Sequence, residues 1–203
     1  MGAQEQFWDW FIQHEEELFE FDTGREGERE RIFDQVATEL QRCDSDLTFE
    51  FGPKQGRREF VISAGGIKNA FPAVVSLVNA APAIKRWRVT AFRPRRTPAD
   101  VVEFRSKRVY PKDVQFSLLD NGKIAGIYLF IPGYREDDAD LKQIGYLLLD
   151  QVIGEYDVET RMGPIKMFPP HAQTEGERYP LADLPARFDM LVSLLERRSG
   201  RPS

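Results

Sequence analysis

The spacing of apolar side chains changes period along this chain, and each change marks an element. From about residue 4 to 42 the spacing is helical. Phe7, Trp8, Trp10, Phe11, His14, Leu18 and Phe19 fall on one broad side of a 3.6-residue wheel, with Glu5, Asp9, Glu16, Glu17 and Glu20 on the other. Asp22-Thr23-Gly24 interrupts the pattern. Ile32, Phe33, Val36 and Leu40 then form the stripe of a second helix over about 26–42, so the segment 4–42 reads as a helical hairpin.

From Leu47 the period is two. Leu47, Phe49 and Phe51 alternate with Thr48 and Glu50, and Phe60 and Ile62 resume the alternation after the loop Gly52 to Gly56. A helix follows over about 69–81, with Pro72 in its first turn and Phe71, Val74, Val75 and Val78 on its stripe. Trp87, Val89 and Ala91 make a third strand. The order ββαβ then returns. Val114, Phe116 and Leu118 alternate, Asp120-Asn121-Gly122-Lys123 is a tight-turn signal, and Ile124 to Ile131 is the return strand. Asp138 or Asp140 caps a helix running through Ile153. Beyond Gly154, Tyr156, Val158 and Thr160 alternate with Glu155, Asp157, Glu159 and Arg161, which reads as a strand. A last helix over about 183–198 carries Leu184, Phe188, Leu191, Val192 and Leu195 at core spacing and ends at Gly200. The linking stretch has a helix-start signal at Thr97 to Asp100.

Strand pairs separated by helices predict one α+β domain spanning 1–203. Its expected core is a single, mostly antiparallel sheet from two ββαβ halves, about 47–93 and 113–162, with the helical hairpin and the C-terminal helix packed on it.

Composition narrows the class. The chain has 203 residues, 41% of them hydrophobic, enough for a substantial core. Its longest apolar runs, Tyr146 to Leu149 and Ile127 to Ile131, are far too short to span a bilayer, and the N-terminus lacks the pattern of a secretory signal. A lone cysteine, Cys43, makes neither an internal disulfide nor a cysteine-rich zinc site. A soluble, cytoplasmic protein is expected.

The net charge of −5 conceals an asymmetry. Residues 1–50 hold 15 acidic and 4 basic side chains, whereas residues 85–112 hold 10 basic and 2 acidic ones. The two segments either pair with each other or each attract a partner.

Three features carry candidate chemistry. Glu155, Asp157 and Glu159, alternating on a strand, would put three carboxylates on one face, as a hard cation or an acid–base pair requires. Arg93 and Arg95 follow a strand and suit anions, so the alternative reading is a small-ligand or metal-binding enzyme whose site joins them to Glu155, Asp157 and Glu159. The aromatic run Phe7-Trp8-Asp9-Trp10-Phe11 offers Trp8 and Trp10 as anchors for a protein partner. No zinc motif, nucleotide fingerprint or hydrolase triad occurs, and neither a metal nor a cofactor is expected. Nucleic acid is disfavoured, because Trp87, Phe92 and Phe104 in the basic segment sit at core positions and the whole chain is acidic.

Four segments, Phe7 to Phe11 (FWDWF), Leu47 to Pro53 (LTFEFGP), Ala91 to Arg95 (AFRPR) and Gly154 to Thr160 (GEYDVET), resemble a family of bacterial cytosolic proteins to which no activity is attached. The resemblance implies a bacterial protein and supplies no catalytic residue. The reading favoured by the residues themselves is an interaction or regulatory protein that binds a protein partner, without catalysis of its own.

Overall fold

Periodicity and capping place most elements where the pattern puts them, in a computed structural model that describes residues 2–21, 24–54 and 56–200. Asp22 and Thr23 of the expected helix break, and Gln55 of the expected loop, lie outside the described residues. The fold is α+β: among the described residues, four of six strand pairings are antiparallel. No helix among these residues is long and apolar enough to cross a membrane. Two compact units divide the chain, Met1–Arg93 and Pro94–Ser203.

The N-terminal unit begins with α1 (Ala3–Gln13), α2 (Glu15–Glu20) and α3 (Glu26–Gln41). The first helix does not run unbroken to residue 21. It has a joint at His14, whose imidazole Nδ1 sits 2.8 Å from the Trp10 carbonyl oxygen and whose ring stacks on the Trp10 indole. Strands β1 (Thr48–Phe51) and β2 (Arg58–Ser63) pair antiparallel. Helix α4 (Phe71–Asn79) returns the chain so that β3 (Trp87–Ala91) pairs parallel to β2 on its other side. Phe7, Trp8 and Phe11 of α1, Ile32, Val36 and Leu40 of α3, and Phe60 and Ile62 of β2 share one buried cluster.

Arg58 lies inside that cluster, 1% exposed. Its Nε–H donates to the Gly52 carbonyl at 3.1 Å, and its Nη1 donates to the Leu18 and Phe19 carbonyls, each at 3.0 Å. The guanidinium lies 4.3 Å from the Phe21 ring centroid and 4.9 Å from that of Phe51. A positive group at the C-terminal end of α2 opposes the negative end of the helix dipole, which helps to offset the desolvation of the charge.

The C-terminal unit opens with a hairpin, β4 (Val102–Phe104) with β5 (Lys107–Val109), in place of the short helix expected from Thr97. Alternation decides it: Val102 and Val109 are buried opposite each other while Glu103 and Arg108 face out. Strands β6 (Gln115–Asp120) and β7 (Ala125–Phe130) pair antiparallel, around a turn in which the Asp120 carboxylate accepts the Gly122 N–H at 2.9 Å. Asp138, not Asp140, caps α5 (Ala139–Ile153) by accepting the Leu141 N–H.

Two expectations need correction in this unit. The strand expected over Tyr156 to Thr160 is a helix, α6 (Glu155–Arg161), and the strand, β8 (Met162–Phe168), follows it. Gly154 at φ +87° ends α5 and lets the chain re-enter a helix, in which Glu155 and Val158, three apart, are the buried positions. Tyr156, expected inside, is 49% exposed. β8 then pairs parallel to β7. Nor is there one continuous sheet: among the described residues the strands form sheets of three, two and four. In the last, β9 (Tyr179–Pro180) completes the order β8-β7-β6-β9. Helix α7 (Leu184–Ser199) ends at left-handed Gly200 as the pattern requires.

Candidate functional site

The sequence pointed to Arg93, Arg95, Glu155, Asp157 and Glu159, and the fold distributes them. Arg93 belongs to the N-terminal unit, where its Nε donates to the Glu50 carboxylate at 2.6 Å. Arg95 belongs to the C-terminal unit. Its Nε donates to the Ile153 carbonyl at the end of α5 at 2.7 Å, and its two terminal nitrogens form a fork with the Asp189 carboxylate of α7 at 2.9 and 2.8 Å. Nη2 also donates to Asp157 of α6 at 2.7 Å. The paired Asp189, with Asp157 beside it, holds the Arg95 guanidinium even more firmly protonated than usual, against the opposing effect of burial. One arginine therefore fastens the chain after residue 94 to three helices. That is structural work, with the fork geometry in which arginine excels.

The three carboxylates do not share a face. On a helix of 100° per residue, Glu155 and Glu159 fall on one side and Asp157 on another. Glu155 is fully buried, and Asp157 is engaged by Arg95 and, at 3.5 Å, by Arg161. Among the described residues no group of three or more His, Cys, Asp or Glu side chains is arranged to hold a metal ion.

The two tryptophans separate as well. Trp8 is 3% exposed and its indole N–H donates to the Leu77 carbonyl at 2.8 Å, so it is a core residue. Trp10 is half-buried and borders a polar groove of about 620 Å³ along α3, lined by Glu30, Arg31, Asp34 and Thr38. The acidic and basic segments do meet within the N-terminal unit. Arg86 of β3 reaches Glu15 through Nε at 3.0 Å and Glu20 through Nη1 at 3.3 Å. Hydrogen bonds from Arg86 and Trp87 lower the Glu15 carboxyl below the usual glutamate range, although burial opposes this. Within the C-terminal unit Arg105 pairs with Asp140, Lys107 with Asp138 and Arg108 with Glu103.

With those charges engaged, a different feature stands out in the C-terminal unit. A cleft of about 460 Å³ is walled by Pro98, Pro111, Pro180 and Pro185, with Val101 and Tyr110 beside them. That volume falls in the range of pockets that receive a small molecule or a partner's side chains. Val101 is 39% and Tyr110 45% exposed, so the apolar surface continues out of the cleft. Arg96, Asp100 and Lys112 supply its charge.

No protein-family model, curated protein or solved structure matches this chain.

Neither the cleft nor Arg58 was visible in the sequence. The cleft joins residues 96–101, 110–112 and 180–185, each of which reads by itself as a loop. The one local signal is the recurrence of proline in these loops, which marks rigid turns without saying that they converge. Arg58 sits at a position that alternation assigns to the inward face with Phe60 and Ile62, yet an arginine there carries no expectation of burial.

Proposed function

We propose that this chain is a partner-binding module of the cytoplasm, without catalysis of its own, and that the proline-lined cleft of its C-terminal unit receives apolar side chains of a protein partner. The observation that supports this most is the continuity between the cleft and the exposed Val101 and Tyr110. A pocket with an apolar rim and a tyrosine at its mouth is the arrangement in which interface hot spots concentrate. Rigid proline walls lose little conformational entropy on binding.

The other reading, a small-ligand or metal site joining Arg93 and Arg95 to Glu155, Asp157 and Glu159, has less support. Each Arg95 nitrogen already donates to a partner in its own unit, so an incoming anion would have to displace Asp189 or Asp157. Trp8 has less support as an anchor, being core, and Trp10 faces a polar groove. Binding to nucleic acid is also disfavoured, since much of the basic segment is paired with carboxylates.

The test is affinity capture from an extract of the native cells, comparing wild type with Tyr110→Ala, Val101→Asp and Trp10→Ala, all with melting temperatures checked. The expected result is one discrete partner whose recovery falls about tenfold or more with Tyr110→Ala and Val101→Asp, the effect of removing a hot spot of about 1.4 kcal/mol or more, and is unchanged with Trp10→Ala. Identical recoveries from wild type and the two cleft variants, or loss with Trp10→Ala alone, would sink the reading.

A further inference from the structure

Among the described residues β8 has a strand neighbour on one side only, because it ends the order β8-β7-β6-β9. The Phe168 carbonyl accepts the Ile131 N–H at 2.9 Å, which turns Phe168 toward the β7 side. In a parallel ladder the N–H and C=O of one residue face the same neighbour, and alternate residues face opposite sides. Lys166 therefore also turns its backbone toward β7, and Ile165 and Met167 turn theirs away from the sheet. Natural edges are blunted by proline and lysine. Here Pro164 interrupts the first half of β8 and Lys166 sets a positive charge in the second, which guards the stretch from Ile165 to Phe168 against neutral and basic strands and leaves it open to an acidic one.

Along this edge runs a groove of about 510 Å³, between β8 and helix α5. Ile165 and Met167 line it from the strand. Tyr146 and Lys142, four apart and so on one face of α5, line it from the helix, and Tyr134 closes it from the preceding loop. An edge strand flanked by a helix, with a groove of side-chain depth between them, is the geometry in which an extended peptide adds itself to a sheet. Main-chain hydrogen bonds give such a complex affinity and the groove gives it selectivity.

Charge decides which peptide. Lys142 borders the groove from α5, whereas Lys166, between Ile165 and Met167 on the strand, emerges on the opposite face of β8 beside Tyr128; neither has a carboxylate partner among the described residues. Lys166 has its ammonium 5.9 Å from the Tyr128 ring centroid, and Glu136 is the one acidic side chain in the lining. The other lysine of this region, Lys107, is by contrast paired with Asp138. Two unpaired ammonium groups beside an open edge favour acidic side chains on the incoming strand.

We infer that the β8 edge is a docking site for an extended, acidic segment of a protein partner, which pairs with the outward backbone of Ile165 and Met167 and places its carboxylates near Lys142 and Lys166. This site shares no lining residue with the proline-lined cleft and does not depend on it.

The test uses the full chain and two labelled peptides, one repeating Thr-Thr-Glu-Glu and one repeating Thr-Thr-Lys-Lys so that charged side chains emerge on both faces of the strand, with binding followed by fluorescence anisotropy and by amide hydrogen exchange. The acidic peptide is expected to bind, to weaken about tenfold or more in Lys142→Gln/Lys166→Gln, and to slow exchange at the Ile165 and Met167 amides about tenfold or more. Binding should be unchanged in Val101→Asp, so loss of the cleft function and loss of this one are separable. Any of three results overturns the proposal: no binding of the acidic peptide, equal binding of the basic peptide or of the double variant, or binding without slowed exchange at residues 165 and 167. Both lysines are exposed, so the double variant is expected to fold as the wild type does.

Discussion

The two units pair their strands in the same way and fill them differently. In each, the first strand of a ββαβ run pairs antiparallel with the second, and the third returns parallel on the second strand's other side. Ten of the fifteen Phe and all three Trp lie in the N-terminal unit; all six Tyr lie in the C-terminal one. In the first, Phe60 at the centre of the sheet meets Phe11 and Phe51 with ring centroids 5.1 and 5.2 Å away, and Phe7, Trp8 and Phe49 slightly further off. In the second, Ile127, Leu129, Ile144 and Leu148 do the same work with aliphatic groups. Strand order thus follows from period and turn position, and side-chain chemistry is left to decide what else a unit can do. The aromatic unit closes around a buried arginine. The aliphatic one is rimmed by loops that leave a cleft and an open edge.

The largest expected break in this comparison is Arg58→Met. Methionine keeps much of the volume but leaves the Leu18, Phe19 and Gly52 carbonyls without their donor, at a cost of about 3 kcal/mol or more. Tryptophan emission during urea unfolding reads this in the N-terminal unit, where Trp8, Trp10 and Trp87 all lie. A loss of less than about 1 kcal/mol would mean that the aromatic core holds α2 in place without the guanidinium.

Next in size is Gly154→Ala. At φ +87° and ψ 140° an alanine Cβ is strained, so about 1–3 kcal/mol of stability should be lost from the C-terminal unit, read by its tyrosine signal. The same residue marks where sequence reading failed. Runs bounded by clear turn or cap signals settle their own period: 115–120 and 125–130 around Asp120 to Lys123, and 139–153 after the Asp138 cap, fall where the pattern puts them. Seven residues after Gly154 do not. Over so short a run, periods of two and of 3.6 both put Glu155 and Glu159 on one side, and only the burial of Val158 with Glu155 separates helix from strand. Candidate ligands were misplaced with the element: on α6, Asp157 faces Arg95 and Glu155 faces inward. The charge of these residues was legible, and their partners were not, because Asp189 is 94 residues from Arg95. If Gly154→Ala costs nothing, the joint between α5 and α6 does not depend on the backbone freedom of glycine.

The smallest effect concerns how the aromatic unit holds its acidic helices. Glu15 accepts hydrogen bonds from Arg86 and from the Trp87 indole N–H, the latter at 2.9 Å, and its carboxyl is lowered accordingly. A carboxylate whose affinity for protons falls on folding stabilises the native state once it is ionised in the unfolded chain as well. That contribution is complete above the ordinary glutamate range and is lost as pH falls through the depressed folded value. Glu15→Gln keeps the shape and removes the charge. The difference in tryptophan-detected melting temperature between wild type and Glu15→Gln should therefore be largest and flat near neutrality, and should shrink as pH drops below the ordinary glutamate range. It should also diminish in high salt, since the Arg86 side chain is 38% exposed. In Arg86→Gln the pH dependence should be weaker but still present, because the Trp87 indole N–H continues to donate to the carboxylate. A difference that grows on acidification would have the wrong sign for a lowered carboxyl and would mean that Arg86 does not hold Glu15 in solution.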